Sequence, residues 1–324
     1  MPVYLRGRSL ISLMDYSEEE IYYLLSLAAD LKAKKRLLIH GNLLEGKNVA
    51  LLFEKSSTRT RCAFVVACAD EGGHPEFLGK NDIHLGGKED VKDTARVLGR
   101  MFDGIEFRGF KQSMVEELAK WAGVPVWNGL TDTEHPTQVL ADFLTLTEHL
   151  PCGRNLKGVR LAYVGDGRNN MSNSLMIGCS KLGMHYAVGS PTSLFPDPKI
   201  VKSCEALCEQ SGGSIEVYED PKKAVKGADA IYTDVWASMG EEAEKENRVK
   251  LLRPYQVNSQ LMNAAERGDT IFLHCVPAEK GYEVTEEVFE SPASKVFDEA
   301  ENRMHTIKAV MVATIGDMGI ARDY

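Results

Sequence analysis

The stretch NVALLFEKSSTRTR, residues 48–61, places a short apolar run directly before a turn rich in hydroxyl and guanidinium groups. An apolar run of this length is typical of a strand in a parallel sheet, because helices cover both faces of such a sheet. The polar turn then predicts a strand-to-helix junction. Ligands bind beyond the carboxyl ends of the strands in open parallel sheets, so a functional site is expected at junctions of this kind.

The same alternation of apolar runs and amphipathic segments continues along the chain and predicts an α/β fold with parallel sheets. The predicted strands lie at 48–53, 105–108, 124–127, 159–164, 215–218, 229–233 and 270–274. The first predicted helix starts at a capping box that runs from Ser17 to Glu20. The later helices are predicted at 60–71, 90–103, 112–122, 136–149, 171–183, 197–210 and 297–313.

The length of 324 residues suits two domains of roughly 150 residues each. The segment LPCGRN, residues 150–155, interrupts the helical pattern before a new strand begins. We therefore expect two doubly wound parallel-sheet domains, residues 1–150 and 151–296, joined by helix 136–149.

Composition disfavours several classes of protein. The net charge of −9 argues against non-specific nucleic-acid binding, which needs a basic surface. No apolar run approaches the ~18 residues of a membrane span, and the N-terminal segment becomes acidic too soon for a signal peptide. The seven cysteines form no CxxC pair, which favours buried free thiols over a metal site and a reducing cytoplasm as the location.

The turn after strand 48–53 predicts an anion site. The N–H groups at a helix start favour an anion, and serine and threonine hydroxyls add donors. Arg59 can bind a phosphate through two hydrogen bonds. An ordinary helix cap with surface arginines is the alternative, but five consecutive donor side chains at 56–60 favour the anion site. The GxxxxGK[ST] pattern of a nucleotide-binding P-loop is absent.

Other positions carry polar groups suited to the same ligand. Arg108 ends a predicted strand, where a lone arginine is usually a solvated charge. His135 and Gln138 flank Pro136, which suits the first position of a helix; a capping histidine with a surface glutamine is the alternative. Arg303 is placed near the start of the last helix, where a cation is unfavourable unless an anion lies nearby.

The predicted second domain has three polar junctions. VGDGRNN, residues 164–170, follows a strand but lacks the GxGxxG spacing of a dinucleotide site. TDVWASMG, residues 233–240, places an aspartate directly after a strand, where it can be part of a binding site or an acidic cap followed by a flexible hinge. HCVP, residues 274–277, puts a cysteine after an apolar strand, where a buried thiol is usual, and the bond before Pro277 can be cis.

The STRTR run at 57–61 and the HPTQ run at 135–138 resemble the carbamoyl-phosphate motifs of the aspartate/ornithine carbamoyltransferase family, and the resemblance covers nearly the whole chain. It implies that segment 297–324 returns to the first domain. By the same resemblance, the phosphate of carbamoyl phosphate is bound by Ser57, Thr58, Arg59 and Thr60. Arg108 bridges the phosphate and the carbonyl oxygen, and His135 donates to that oxygen. Gln138 accepts from the NH2 group, and Arg303 contacts the carbamoyl group.

The second-domain motifs are similar to those of the ornithine-specific members. Asn169, Ser238 and Met239 are the implied contacts to the amino-acid end of ornithine, and Asp234 the contact to its side-chain amine. Cys275 is expected to pair with Asp234 around this amine. Val276 replaces the usual leucine of the family signature and is expected to bind carbamoyl phosphate through its backbone carbonyl. The implied catalytic residues are Arg108, His135, Gln138, Asp234, Cys275 and Arg303.

The loop DIHLG, residues 82–86, is similar to the loop with which ornithine-specific members reach the phosphate of a neighbouring subunit. The resemblance therefore implies a homotrimer with shared active sites, in which His84 is a cross-subunit ligand. The implied reaction transfers the carbamoyl group of carbamoyl phosphate to ornithine and gives citrulline and phosphate. No metal or organic cofactor is expected, because the phosphate leaving group already activates the carbamoyl group.

Three alternatives stay open. A related carbamoyltransferase could use another amine, such as putrescine or an acylated ornithine, although the run Ser238-Met239-Gly240 favours ornithine. A dinucleotide-dependent oxidoreductase is disfavoured by the missing GxGxxG spacing. A catalytically silent regulatory homologue is disfavoured by the complete set of phosphate-facing and amine-facing residues.

Overall fold

The computed structural model describes residues 3–83, 89–151, 153, 155–237 and 245–317. The chain divides into two compact units: unit 1 comprises Met1–Leu144 and Glu301–Tyr324, and unit 2 comprises Thr145–Ala300. Unit 2 ends at Ala300, inside the C-terminal helix, so this helix belongs to unit 1 from Glu301 onward. The predicted return of the C-terminal helix to the N-terminal part of the chain is confirmed.

Strands and helices alternate along the chain. The strands are β1 (Asn48–Phe53), β2 (His74–Gly79), β3 (Gly104–Arg108), β4 (Val126–Leu130), β5 (Arg160–Val164), β6 (His185–Gly189), β7 (Ser214–Tyr218), β8 (Ala230–Tyr232) and β9 (Ile271–Leu273). The helices are α1 (Glu18–Arg36), α2 (Thr58–Asp70), α3 (Val91–Leu98), α4 (Gln112–Ala122), α5 (Pro136–His149), α6 (Asn170–Lys181), α7 (Pro198–Ser211), α8 (Pro221–Val225), α9 (Lys245–Leu252), α10 (Ser259–Asn263), α11 (Glu286–Phe289) and α12 (Val296–Ile315).

The sheet of unit 1 is parallel, with the strand order β2-β1-β3-β4. All residues of β1 after Asn48 are buried. Ala50, Leu52, Ile105 and Phe107 share a hydrophobic cluster with residues of α3 and α4. Side chains alternate along a strand, so Glu106 and Arg108 lie on the other face. The order changes direction between β1 and β3, which makes their carboxyl ends the switch point where a ligand is expected.

The sheet of unit 2 is also parallel, with the order β7-β6-β5-β8-β9. Its order changes direction between β5 and β8. Ala162, Val164, Ile231 and Phe272 lie in one buried cluster that holds these central strands against the helices around them. Two doubly wound parallel sheets are thus present, and the predicted fold class is confirmed.

Several predicted elements differ from those observed. Strands β2 and β6 were not predicted: β2 carries a proline and is only partly buried, as suits an edge strand, and β6 has five residues. Strand β4 is Val126–Leu130, whereas the predicted strand was 124–127. The predicted capping box is confirmed, since Ser17 Oγ accepts a hydrogen bond from the N–H of Glu20. In the described part of the chain, each helix is too short or too polar to cross a bilayer.

Candidate active site

The first cluster of polar side chains lies in unit 1, around the start of α2. Ser57 is the N-cap of this helix, and its Oγ accepts a hydrogen bond from the N–H of Thr60 at 3.2 Å. The first turn contains no acidic residue. The remaining N–H groups of a first helical turn have no partner within the helix, and the helix dipole adds positive potential there. The start of α2 is therefore suited to an anion.

Two guanidinium groups meet at this helix start. Nη1 of Arg108, the last residue of β3, donates to Oγ1 of Thr60 at 3.3 Å, and Nη2 of Arg303 on α12 donates to the same oxygen at 3.2 Å. All three residues are buried. Like charges repel strongly where water is excluded, so this arrangement favours a bound anion.

Arg303 also contacts the residues at the start of α5. Its Nη1 donates to Oε1 of Gln138 at 2.5 Å and lies 3.2 Å from Nε2 of His135. Because Arg303 lies about two turns into α12 and not in its first turn, the helix-dipole argument for an anion beside it was wrong. Its contacts with Thr60, Gln138 and His135 place it in the cluster instead.

His135 is neutral in this cluster. A guanidinium group can only donate, so Nε2 of His135 accepts from Arg303 and the ring proton resides on Nδ1. Burial, together with the positive charges of Arg303, Arg108 and Arg59, lowers the pKa of His135 well below 6.5. Gln138 is oriented from its other end, because its Nε2 donates to Oδ1 of Asp142 at 2.7 Å.

The second cluster lies in unit 2, at the carboxyl ends of the neighbouring strands β8 and β9. The thiol of Cys275 donates to Oδ1 of Asp234 at 3.1 Å, and the same oxygen accepts from the N–H of Val235 at 2.8 Å. Asp234 is buried, whereas Cys275 is partly exposed. The Val276-Pro277 bond is cis, and Val276 has a φ of 44°, which is unfavourable for a β-branched residue.

His274 fixes the turn that carries Cys275. Its Nδ1 accepts from the N–H of Val276 at 2.9 Å, and Nε2 lies 3.2 Å from Oε1 of the buried Glu283. The N–H of His274 donates to Oε2 of Glu299 at 3.0 Å. Sequence analysis did not single out Glu283 or Glu299, because neither acid stands near the turn in sequence.

Asp234, His274 and Cys275 offer ligand atoms within 4.8 Å of one another, which is a spacing that could hold a metal ion. Both ring nitrogens of His274 are already engaged, one with Val276 and one with Glu283. A metal ion at this place would have to displace one of these contacts.

Asn169 follows the loop after β5 and is the N-cap of α6; its Oδ1 accepts from the N–H of Met171 at 2.7 Å. The preceding Asp166 pairs with Arg248 on α9, with Nη1 and Oδ2 2.6 Å apart. The side chain of Arg248 is only 13% exposed in this pairing. His84, Ser238 and Met239, which sequence analysis assigned to ligand binding, lie outside the described residues.

Comparison with protein families gives two matches, which follow each other along the chain. Residues 8–148 match the model of the "aspartate/ornithine carbamoyltransferase, carbamoyl-P binding domain", and residues 157–314 match that of the "Asp/Orn binding domain".

Individual relatives are similar over nearly their full length. A catabolic ornithine carbamoyltransferase of Bacillus licheniformis is 60% identical, over 97% of this chain and 98% of the relative. An ornithine carbamoyltransferase of Caldanaerobacter subterraneus is 58% identical, over 96% and 98% respectively. The solved structure of the Pyrococcus furiosus ornithine carbamoyltransferase is similar with a TM-score of 0.94 at 48% identity, over 99% of this chain and all of that one.

The lowered pKa of His135 predicts a pH dependence of stability. The unfolded chain protonates this histidine near pH 6.5, whereas the folded chain does so only at lower pH, so its contribution is complete above pH 6.5 and is lost as pH falls below it. Relative to His135→Gln, the wild type should lose up to about 1.4 kcal/mol of unfolding free energy per pH unit in that window.

Urea unfolding of both proteins between about pH 5 and 7.5 measures this difference. His40→Gln, which replaces an exposed histidine, is the matched control and should follow the wild type. If His135→Gln and the wild type lost stability in parallel, the imidazole would not be held neutral by its surroundings.

Proposed function

The chain belongs to the aspartate/ornithine carbamoyltransferase family, and from this premise we propose how its residues carry out the reaction. The protein is an ornithine carbamoyltransferase: it transfers the carbamoyl group of carbamoyl phosphate to the side-chain amine of L-ornithine and gives L-citrulline and phosphate. The observation that carries this assignment is the 60% identity to an enzyme of that name over nearly the whole chain.

In the proposed mechanism, Ser57, Thr58, Arg59 and Thr60 bind the phosphate of carbamoyl phosphate. The position of these residues at the start of α2 supports the proposal, because N–H groups, hydroxyl groups and a guanidinium group can all donate to phosphate oxygens there. Phosphate is then held as the leaving group. The reaction needs no metal or organic cofactor on this account.

Arg108 and Arg303 stabilise the negative charge that develops when the amine attacks the carbonyl carbon. Arg108 bridges the phosphate and the carbonyl oxygen, and Arg303 contacts the carbamoyl group. Their shared contact with Thr60 supports this role. A preorganised donor of this kind accounts for roughly 100-fold to 1,000-fold in kcat.

His135 and Gln138 orient the carbamoyl group. Gln138 accepts from its NH2 group, since a carbonyl oxygen can accept a second hydrogen bond beside the one from Arg303. His135 donates to the carbonyl oxygen once Arg303 has turned from Nε2 to the substrate, which requires the ring proton to move to Nε2. The backbone carbonyl of Val276 is a further acceptor for the NH2 group.

Ornithine is bound by Asn169, Ser238 and Met239 at its amino-acid end and by Asp234 at its side-chain amine. The amine has a lysine-like pKa, so only ~0.1% is uncharged near pH 7, and it must lose a proton before its nitrogen can attack. Asp234 attracts the charged amine, and Cys275 contacts Asp234 where that amine would lie. When the new C–N bond forms, the C–O bond to phosphate breaks.

We further propose a homotrimer in which His84 of one subunit reaches the phosphate bound by its neighbour. The support for this is the resemblance of the DIHLG loop to that of ornithine-specific family members. A cytoplasmic location is also proposed, because the cysteines of the described part of the chain are free thiols, as a reducing compartment would keep them.

The direct test of the function is the carbamoylation of different amines by carbamoyl phosphate, measured as the carbamoylated product of each, which is citrulline for ornithine. Ornithine should be carbamoylated, whereas putrescine and N-acetylornithine should react at least about 100-fold more slowly, because putrescine lacks the carboxylate and N-acetylornithine lacks the charged α-amino group. Equal use of putrescine would contradict the assigned selectivity for ornithine, and no carbamoylated product from any of these amines would reject the function.

Arg59→Ala should weaken carbamoyl-phosphate binding about 100-fold or more, because a charged contact with two hydrogen bonds is lost. Isothermal calorimetry measures this affinity. Arg61→Ala is the matched control, since Arg61 stacks on the ring of Phe77 and is exposed; it should bind as the wild type does. Wild-type affinity of Arg59→Ala would reject the phosphate assignment.

Asp234→Asn should lower kcat/KM for ornithine about 100-fold, because the charged partner of the amine is lost. The affinity for carbamoyl phosphate should change by less than about twofold, since Asp234 is assigned to the amine alone. Asp269→Asn, which removes an exposed carboxylate of the same unit, should leave both quantities unchanged. Equal losses for both substrates in Asp234→Asn would contradict the role of Asp234.

A further inference from the structure

Glu106 is a buried acid in the strand that ends at the anion site. It lies in the middle of β3, next to the apolar Ile105 and Phe107, and none of its surface is exposed. It is two residues before Arg108, so both side chains lie on the same face of the sheet. In the described part of the chain, neither carboxyl oxygen of Glu106 has a hydrogen-bond partner.

The neighbouring strand leaves space for this carboxyl group. The pairing of β3 with β4 shifts register between Phe107, which pairs with Asn128, and Arg108, which pairs with Leu130. Gly129 is the extra residue of this bulge, and a Cβ added to it would lie 1.9 Å from Oε1 of Glu106. The φ angle of Gly129 is not positive, so its backbone conformation does not require a glycine. A glycine is needed here because a larger side chain would collide with the carboxyl group of Glu106.

An acid without hydrogen bonds destabilises a protein interior, and an apolar side chain of similar size would be more stable there. A buried acid of this kind beside a site is a common sign of function. The charges that act on Glu106 are Arg108 on its own strand and Arg303 on α12. Both guanidinium groups also donate to Thr60 at the start of α2.

We propose that Glu106 is a positioning residue of the anion site, which balances the charges of Arg108 and Arg303 from the interior of the sheet and takes up a proton as carbamoyl phosphate binds. This inference rests on the proposed function. It assigns to Glu106 no contact with the substrate. Its effect is carried by the two arginines.

The direction of the proton transfer follows from competition for the two arginines. Burial raises the pKa of Glu106 well above 4.5, and Arg108 and Arg303 lower it in part. A bound phosphate neutralises these arginines, so the pKa of Glu106 rises further and a proton is taken up. The protonated form therefore binds the anion more tightly, and affinity falls as pH rises above the pKa of the free enzyme.

The other titratable groups near these arginines do not account for this proton uptake. His135 contacts Arg303 and has a lowered pKa, as described above. Asp142 on α5 is engaged by Gln138. An imidazole with a lowered pKa would gain a proton on binding only at acidic pH. Glu106 is expected to gain its proton at higher pH, because burial raises its pKa.

The test is the number of protons taken up when inorganic phosphate binds, measured by calorimetry in buffers of different ionisation enthalpy between about pH 6 and 9. Glu106→Gln keeps the shape of the side chain without its titration. The wild type should take up as much as about one proton more than Glu106→Gln, since the titration of phosphate itself is common to both. Its affinity relative to Glu106→Gln should fall with rising pH, by up to about tenfold per unit of pKa change.

Two further variants keep the test decisive. Glu106→Met should behave like Glu106→Gln, and Glu71→Gln, which neutralises a buried acid paired with Lys308 in the same unit, should behave like the wild type. Equal proton uptake by the wild type and Glu106→Gln would overturn the inference, and so would loss of phosphate binding in Glu106→Gln alone. Absence of phosphate binding in the wild type would instead overturn the proposed function, and this inference with it.

Discussion

Arg108 and Arg303 both donate to the hydroxyl oxygen of Thr60, so two positive charges lie side by side in the interior of unit 1. This arrangement is unfavourable by itself, because a buried region screens repulsion poorly. The helix start at Ser57 adds further positive potential, and His135 contributes no charge. An anion among these groups would turn the repulsion into attraction, and the rest of the proposed mechanism depends on that exchange.

Topology explains why these groups meet. In unit 1 the strand order changes direction between β1 and β3. The turn that precedes α2 and the end of β3 therefore lie on the two sides of the crevice at this switch point. In unit 2 the change lies between β5 and β8, and Asn169 and Asp234 follow these two strands. Both sets of polar residues thus occupy the position in a parallel sheet where loops can carry chemistry without interrupting the core.

Much of the fold was predictable from the sequence because its signals are local. The apolar run of β1 and the hydroxyl-rich turn behind it stand together, and the box at Ser17 marked a helix start that the structure confirms. The edge strand β2 was missed because it is only partly buried. The contacts of His274 with Glu283 and Glu299 and the pairing of Arg248 with Asp166 were missed, because a local pattern does not show which residues of different segments meet in the fold. A signal for Glu106 was present, as an acid in an otherwise apolar run before Arg108. The roles assigned to individual site residues came from resemblance, which local patterns alone could not supply.

The most direct measurement of the central claim is a crystal structure of the protein with carbamoyl phosphate. The account predicts tetrahedral density at the first turn of α2, within hydrogen-bonding distance of the Arg59 side chain and the N–H groups of Thr58 and Arg59, with Arg303 turned toward the carbamoyl group. Carbamoyl phosphate bound elsewhere, or density in which Arg108 and Arg303 still engage Thr60 and contact no anion, would contradict it.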